Sequence, residues 1–202
     1  MSGRLIAVEG VDASGKSTQA RMLADSLGAE CTFQFGATDV GRVIRDVLLD
    51  PANESVDDRT EALLIIADKA QHVAEIVGPA LESGRDVVTD RFTASTLAYQ
   101  GYGRGLDLDE LEAMMRFATG GREPDLNVLM DLPPEQAWRR LGSSVDRFEG
   151  QGREFLERVR DGFLALATAD PQRWAVVDAA GTTDEVAARI LTAVSDRLGG
   201  VG

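Results

Sequence analysis

Cysteine is almost absent from this chain, in which Cys31 is the only one. A single cysteine excludes an intrachain disulfide framework and a cysteine metal cluster, and we expect a buried, unreactive thiol. Long apolar runs are also missing, because no stretch approaches the roughly 20 apolar residues that a membrane-spanning helix needs. The first residues lack the basic and apolar segments of a secretory signal. These absences predict a cytoplasmic protein.

Basic residues are scarce, with 21 Lys and Arg against 34 Asp and Glu and a formal net charge of −13. This balance argues against a nucleic-acid backbone or an anionic membrane as the main partner. It allows a small phosphorylated ligand, which needs only a local basic pocket. Hydrophobic residues make up 44% of the 202 positions, enough to bury the core of one domain. We therefore expect residues 1–202 to form a single domain.

Short apolar runs alternate with longer amphipathic ones, a pattern typical of β-α units around a parallel sheet. Helices cover both faces of such a sheet, so its strands need not alternate apolar with polar residues. The carboxyl ends of the strands should line a ligand crevice. The sequence predicts five strands, at Arg4–Glu9, Glu30–Phe35, Asp86–Thr89, Leu126–Asp131 and Trp174–Asp178.

The first predicted strand leads directly into a glycine-rich loop that has the spacing of a phosphate-binding loop. Its glycines let successive backbone N–H groups converge on an anion, Lys16 adds a positive charge, and the Ser17 hydroxyl is a ligand for Mg²⁺. The helix that follows directs its positive N-terminal dipole at the same anion. We expect the nucleotide phosphates to contact Gly10, Val11, Asp12, Ala13, Ser14, Gly15, Lys16, Ser17 and Thr18.

A second polar cluster begins where the third predicted strand ends, at Asp90 and Arg91. A carboxylate in this place can orient the ligand shell of Mg²⁺, and a guanidinium offers a planar fork for another phosphate. A surface ion pair is the competing interpretation of the same two residues. The chain has no Asn-Lys-x-Asp segment of the kind that reads guanine, which weakens a GTPase interpretation.

The longest predicted helix runs from about Asp57 to Leu81 and stops before Gly84. Ile65, Lys69 and His72 share a face of this helix where a ligand could bind. A lone histidine on such a face is more often solvated or a cap, and the sequence offers it no metal partners. The helical repeat that predicts the buried face comprises Ala62, Ile66, Ala70, Val73 and Val77.

The chain resembles the thymidylate kinase family of P-loop nucleoside monophosphate kinases over nearly its full length. The resemblance is carried by the phosphate loop together with the run from Asp90 to Gln100, and further by Ala67–His72, Pro124–Leu126 and Asp146–Glu149. It implies an α/β, three-layer P-loop NTPase fold with a five-stranded parallel sheet. It also implies transfer of the ATP γ-phosphoryl group to dTMP with Mg²⁺, and a homodimer.

The resemblance implies a role for each matching residue. Lys16, Asp12 and Arg91 would be catalytic, with Arg91 clamping the acceptor phosphate, and Ser17 and Asp90 would hold Mg²⁺ directly or through water. Family members supply an arginine to the transferring phosphoryl group from the loop or from a lid, here residues 140–153. Ala13 and Ser14 leave the loop without one, which makes Arg147 the first candidate. Acceptor-binding residues would be Phe35, Ile65, Lys69, Arg91, Thr96, Tyr99 and Gln100, with Tyr99 beneath the sugar.

Several positions depart from the family pattern. The segment Thr32–Thr38 replaces the usual Thr-Arg-Glu-Pro-Gly-Gly-Thr, Ile65 replaces a stacking phenylalanine, and Lys69 replaces an arginine. An ammonium cannot reproduce a bidentate fork, and an aliphatic side chain supports a base without ring stacking. Two interpretations stay open: family drift, with Phe33 or Phe35 filling the vacated space, or a different deoxypyrimidine monophosphate as acceptor. For the chain as a whole, a nucleotide-binding regulatory protein without catalytic activity is a further alternative.

The remaining aromatic and sulfur-containing residues predict packing or association. We expect Trp138 and Trp174 to be packing residues. Met114, Met115 and Phe117 fall on one predicted helix, where core packing and a twofold dimer interface explain them equally well.

Overall fold

The computed structural model describes residues 2–53, 55–141 and 152–199. Five strands within these residues form one all-parallel sheet in the order β2-β3-β1-β4-β5. Helices cover both faces of the sheet, so the α/β three-layer prediction is confirmed. The strands are β1 (Leu5–Glu9), β2 (Glu30–Phe33), β3 (Val87–Asp90), β4 (Leu126–Asp131) and β5 (Trp174–Asp178).

The predicted strands agree with these within two residues. The largest difference is β2, which ends at Phe33 and not at Phe35. The helices are α1 (Lys16–Leu27), α2 (Asp39–Leu49), α3 (Asp58–His72), α4 (Gly78–Glu82), α5 (Thr93–Thr96), α6 (Leu108–Thr119), α7 (Pro134–Leu141), α8 (Arg153–Ala169) and α9 (Thr183–Leu198). Within the described residues no helix is long and apolar enough to cross a membrane.

The long predicted helix is interrupted. Helix α3 passes into a π-helical turn, Val73–Val77, before α4 begins. Pro79 has no N–H to donate and its ring crowds the carbonyl one turn earlier, which the wider turn accommodates. The predicted apolar stripe is buried at Ala62, Ile66, Val73 and Val77, and half-buried at Ala70.

The exposure of Cys31 and Trp138 contradicts the sequence predictions. Cys31 is exposed because β2 is an edge strand whose alternate side chains, Cys31 and Phe33, point away from the core. Trp138 lies on α7 with 46% of its surface exposed, so it is not a core residue. Trp174 is buried, as predicted.

Candidate active site

The phosphate loop connects the buried end of β1 to α1. Gly10, Ala13 and Gly15 have positive φ angles of 143°, 61° and 96°, so the backbone reverses direction within six residues. Gly15 also caps α1, which places the first N–H groups of that helix at the loop. A cradle of backbone donors at a helix N-terminus suits a polyphosphate.

Lys16 is buried in the loop, where its Nζ donates to the carbonyl oxygen of Val11 over 2.7 Å. Burial and, to a smaller extent, neighbouring Arg91 lower the pKa of this ammonium to about 8, against the opposing effect of Asp12. A bound phosphate would supply negative charge next to this buried ammonium and stabilise its charged form. The lysine is therefore placed to bind an anion rather than to support the fold.

Ser17 and Asp90 meet at the start of α1, although 73 positions separate them in the chain. The Ser17 hydroxyl donates to Asp90 Oδ2 over 2.5 Å. The other oxygen, Asp90 Oδ1, is buried and has no hydrogen-bond partner among the described residues. A hydroxyl and a carboxylate with an unused oxygen, beside a phosphate loop, form a donor set that fits Mg²⁺.

Arg91 follows β3 and points its guanidinium into the crevice between the phosphate loop and α5. Nη1 donates to the Gly10 carbonyl (3.2 Å) and to Ser95 Oγ (2.9 Å). Nη2 pairs with Asp12 Oδ1 and contacts the Tyr99 hydroxyl at 3.3 Å. Because the Arg91 side chain is largely buried and pairs with Asp12, while Asp90 accepts from Ser17, the surface ion-pair interpretation of Asp90 and Arg91 is wrong.

Asp12 and Tyr99 form the other side of this arrangement. The Tyr99 hydroxyl donates to Asp12 Oδ2 over 2.8 Å, and the Arg91 guanidinium lies 4.9 Å from the centre of the Tyr99 ring. Burial opposes ionisation of Asp12, but Arg91 and Lys16 outweigh it and lower its pKa. Burial raises the pKa of Tyr99 well above its ordinary value, so it is a phenol.

A cavity of about 130 Å³ lies beside Arg91. All seven residues predicted to bind the acceptor line it: Phe35, Ile65, Lys69, Arg91, Thr96, Tyr99 and Gln100. Asp12 and Ser95 line it as well. The structure thus brings the second sequence cluster and the face of α3 together around one pocket.

Lys69 is fully enclosed in this pocket wall, with 1% of its surface exposed. Its Nζ donates to Gln34 Oε1 and lies 5.0 Å from the centre of the Phe92 ring. Burial lowers the pKa of Lys69 to about 8, while Glu9 and Asp68 act in the opposite direction. Lys16 and Lys69 are the only two lysines in the sequence, and both are buried here.

Gln100 is fixed at the far end of the pocket by a buried acid. Its Nε2 donates to Glu61 Oε1 over 3.0 Å, and Glu61 also pairs with Arg104. The orientation of the Gln100 amide is therefore set by the protein. A fixed amide beside Thr96, which is also buried, can distinguish hydrogen-bond donors from acceptors on a bound ring.

A larger cavity of about 630 Å³ opens on the other side of Arg91, above the phosphate loop. Lys16, Ser17 and Asp90 line this second cavity. Four residues line both cavities: Asp12, Gln34, Arg45 and Arg91. Molecules bound in the two cavities would therefore meet at these four side chains.

Sequence reasoning missed two residues of this junction, Gln34 and Arg45, and a third, Glu9, that lies behind it. Glu9 ends β1 completely buried, and burial raises its pKa. Gln34 holds Lys69, and Arg45 donates to the Phe35 carbonyl over 2.9 Å. A charged residue that interrupts an apolar strand was a signal for Glu9, whereas Gln34 and Arg45 carried no comparable signal.

The residues proposed for the lid are only partly described. Arg147 lies outside the described residues. Arg140 reaches the loop, with Nη1 3.5 Å from the Ala13 carbonyl. Arg153 pairs instead with Glu135 and Glu157.

His72 does not line the pocket, contrary to its predicted position on the ligand face. It is completely buried behind it, with Nε2 2.7 Å from Thr32 Oγ1. Burial lowers its pKa to about 4. The neutral ring thus joins α3 to β2, and the prediction of a solvated or capping histidine is wrong.

Comparisons with known proteins agree with this geometry. The model of the family described as thymidylate kinase matches residues 8–190. Thymidylate kinases from Desulfosudis oleivorans and from Synechococcus sp. strain JA-2-3B'a(2-13) are each 44% identical to the chain, covering 94% and 96% of it and 95% of each relative. The crystal structure of thymidylate kinase from Ehrlichia chaffeensis superposes with a TM-score of 0.80 at 28% identity, covering 96% of this chain and all of the other. The chain therefore belongs to the thymidylate kinase family.

Proposed function

We propose that this protein transfers the γ-phosphoryl group of ATP to dTMP, giving dTDP and ADP. The observation that carries the proposal is the position of Arg91, which contacts the phosphate-loop backbone and also lines the acceptor cavity. ATP would occupy the cavity above the loop and dTMP the smaller one. The relatives named as thymidylate kinases support this choice of acceptor.

The chemistry requires alignment and charge neutralisation more than covalent help. An acceptor phosphate oxygen forms a bond to the γ-phosphorus while the bond to the β-phosphate oxygen breaks, and ADP leaves with that oxygen. The attacking oxygen is already anionic at neutral pH, so no general base is needed. The Lys16 ammonium, the loop N–H groups and the Arg91 fork would hold the two phosphorylated molecules in line.

Ser17 and Asp90 would hold Mg²⁺, which supplies charge neutralisation between the β- and γ-phosphates when bound. The unused Oδ1 of Asp90 and the adjacent Ser17 hydroxyl support this assignment. Asp12, which pairs with Arg91, would fix the guanidinium at the acceptor phosphate.

Tyr99 would favour a deoxyribose acceptor. Its hydroxyl is anchored on Asp12, and its ring packs edge-on against Phe155 and Phe163 at centroid distances of 6.1 and 6.3 Å. A ring held in this way cannot move aside for an additional 2′-hydroxyl group.

The base would lie between the apolar side chains of Phe35 and Ile65 and the polar groups of Thr96 and Gln100. A coupled ADP-release assay with dTMP, dUMP, dCMP and modified deoxypyrimidine monophosphates tests the assignment. We expect the highest kcat/KM with dTMP. A higher kcat/KM with a modified nucleotide would identify that nucleotide as the preferred acceptor. If none of these nucleotides caused ADP release, the protein would be a nucleotide-binding regulatory protein without kinase activity.

Lid residues 140–153 would supply the arginine for the transferring phosphoryl group, with Arg147 as first candidate. Arg147→Ala should lower kcat strongly with little change in ATP affinity, because the interaction forms in the transition state. Unchanged turnover would move the role to Arg140, which already lies near Ala13.

A homodimer through α3 and α6 is the proposed assembly, and the cytoplasm is its proposed location. Phe117 on α6 is 90% exposed and Leu63 on α3 is 55% exposed, while Met115 packs in the core. The sequence left core packing and a dimer interface open for this helix; the burial of Met115 supports packing for that residue, and the exposure of Phe117 supports the proposed interface. Light scattering of the wild type and of Phe117→Glu tests the interface, since the variant should be monomeric.

A further inference from the structure

We propose that Glu9 is a positioning residue for Arg91, acting through the Ser95 hydroxyl and the main-chain N–H of Phe92. The inference rests on the proposed function only in giving Arg91 the acceptor phosphate. Glu9 lies on β1, immediately before the phosphate loop, and touches neither cavity.

The backbone at Arg91 needs this support. Arg91 has a φ of 70°, a left-handed conformation that is uncommon and unfavourable for a residue with a long side chain. The next N–H, that of Phe92, donates to Glu9 Oε1 over 2.8 Å. On the other side, Thr89 Oγ1 donates to the Arg91 carbonyl over 2.9 Å. The carboxylate therefore helps to hold the turn that aims the arginine at the crevice.

The side chain is held through Ser95. A serine hydroxyl has a single proton, and Ser95 Oγ donates it to Glu9 Oε2 over 2.5 Å. Its lone pairs are then available to Arg91 Nη1 at 2.9 Å. Because the carboxylate fixes the direction of the hydroxyl, Nη1 stays between Ser95 and the Gly10 carbonyl.

Glu9 reaches Arg91 through hydrogen bonds and not through a direct ion pair, and its charge also attracts the buried ammonium groups of Lys16 and Lys69. Both carboxylate oxygens accept from Phe92 and Ser95, and within the described residues Glu9 forms no direct ion pair. It is also completely buried. The Ser95 hydroxyl therefore links Glu9 to the Arg91 guanidinium in a carboxylate–hydroxyl–guanidinium chain of hydrogen bonds.

Steady-state kinetics on the full-length protein test this chain. Ser95→Ala removes the hydroxyl and leaves the Phe92 contact, and Glu9→Gln keeps an acceptor oxygen for Phe92 but offers Ser95 an N–H instead. We expect each variant to raise KM for dTMP about tenfold, as expected for a lost hydrogen bond to a charged group, with KM for ATP changed less than about twofold. Ser95→Thr, which restores the hydroxyl, should recover the wild-type KM.

Coupling separates positioning from a general structural role. Because both residues act through one link, Glu9→Gln combined with Ser95→Ala should raise KM for dTMP about tenfold and not about a hundredfold. Ser26→Ala and Glu82→Gln, whose contacts lie within α1 and between α4 and Arg122, are the matched controls. An unchanged KM for dTMP in folded Ser95→Ala, or equal losses for both substrates, overturns the proposal.

Crystal structures distinguish this proposal from the proposed function. If the wild type phosphorylates no acceptor, the proposed function is wrong. The position of Arg91 in the crystal structures still tests whether Glu9 positions it through Ser95. In Ser95→Ala the guanidinium should leave the Gly10 carbonyl while the loop and sheet stay in place. A guanidinium in its wild-type position in that variant contradicts the role of Glu9, whether or not the enzyme is active.

Discussion

The phosphate-loop side and the acceptor side of the crevice use positive charge differently. Lys16 sits in a ring of backbone groups, and Ser17 and Asp90 beside it follow the usual pattern of a phosphate-binding loop. The acceptor side buries Lys69 against the neutral amide of Gln34 and the ring of Phe92. The phosphate loop itself is contiguous and needs only Asp90 from the end of β3, whereas the acceptor side depends on several distant segments meeting. The residues of the acceptor side can therefore depart from the family pattern while the phosphate-loop side keeps the groups that phosphoryl transfer needs.

The largest effect should come from the loop itself. Lys16→Ala removes the ammonium proposed to hold the ATP phosphates and should lower kcat about 10³-fold, as for the loss of a preorganised charged donor. Turnover is measured by ADP release, with thermal unfolding as the check on the fold. Near-normal turnover in a folded variant would contradict the phosphate role of Lys16.

Arg91→Lys keeps the charge of the junction but loses its fork. We expect kcat/KM for dTMP to fall about 100-fold, because an ammonium cannot hold Gly10, Asp12 and a phosphate together. Arg4→Lys is a matched control, since Arg4 donates from Nε and Nη2 to Oδ2 of Asp86 away from the crevice. Equal losses in the two variants would indicate a stability effect and not a phosphate contact.

His72 tests how the acceptor wall is held together. Its pKa of about 4 in the folded protein lies below the ordinary value of 6.5, so the unfolded state binds the extra proton. Stability should therefore fall as the pH drops from about 7 to about 5, by about 2 kcal/mol. The chain has no other histidine, so His72→Gln isolates this contribution in urea unfolding at the two pH values. The same pH dependence in both proteins would exclude a buried neutral ring.

Lys69→Met should have the smallest effect of these changes. Loss of the ammonium frees the Gln34 amide and should raise KM for dTMP about tenfold, while KM for ATP stays unchanged. Arg59→Met removes an exposed cation from the same helix and serves as the control. A larger increase in KM for ATP than for dTMP would mean that Lys69 supports the phosphate-loop side of the crevice and not the acceptor side.

The sequence was most informative about the part of the site that consecutive residues form. The phosphate loop could be predicted completely because strand, glycines, lysine and helix follow one another. Glu9 could not be connected with Ser95 from the sequence, because their contact depends on β1 pairing with β3. Cys31 was placed wrongly for a related reason: the order of the strands, which makes β2 an edge, is not encoded in any short segment.

The face of α3 shows both outcomes. The helical spacing correctly brought Ile65 and Lys69 to the pocket. The same spacing also predicted His72 there, but the residue lies one turn further and meets Thr32 behind the pocket. Periodicity predicts which residues share one face of a helix. It does not predict which residues along that face line a ligand pocket and which pack against a neighbouring strand.

The burial of both lysines has a practical consequence for labelling. Apart from the α-amino group, every amine of this protein lies in the crevice, so amine-directed reagents have no other side chain to modify. Because burial lowers both pKa values to about 8, a larger fraction of these amines is unprotonated and nucleophilic near neutral pH. Because Lys69 is fully enclosed, incorporation of an acylating or reductively methylating group at Lys16 would report nucleotide occupancy once modification of the α-amino group is subtracted.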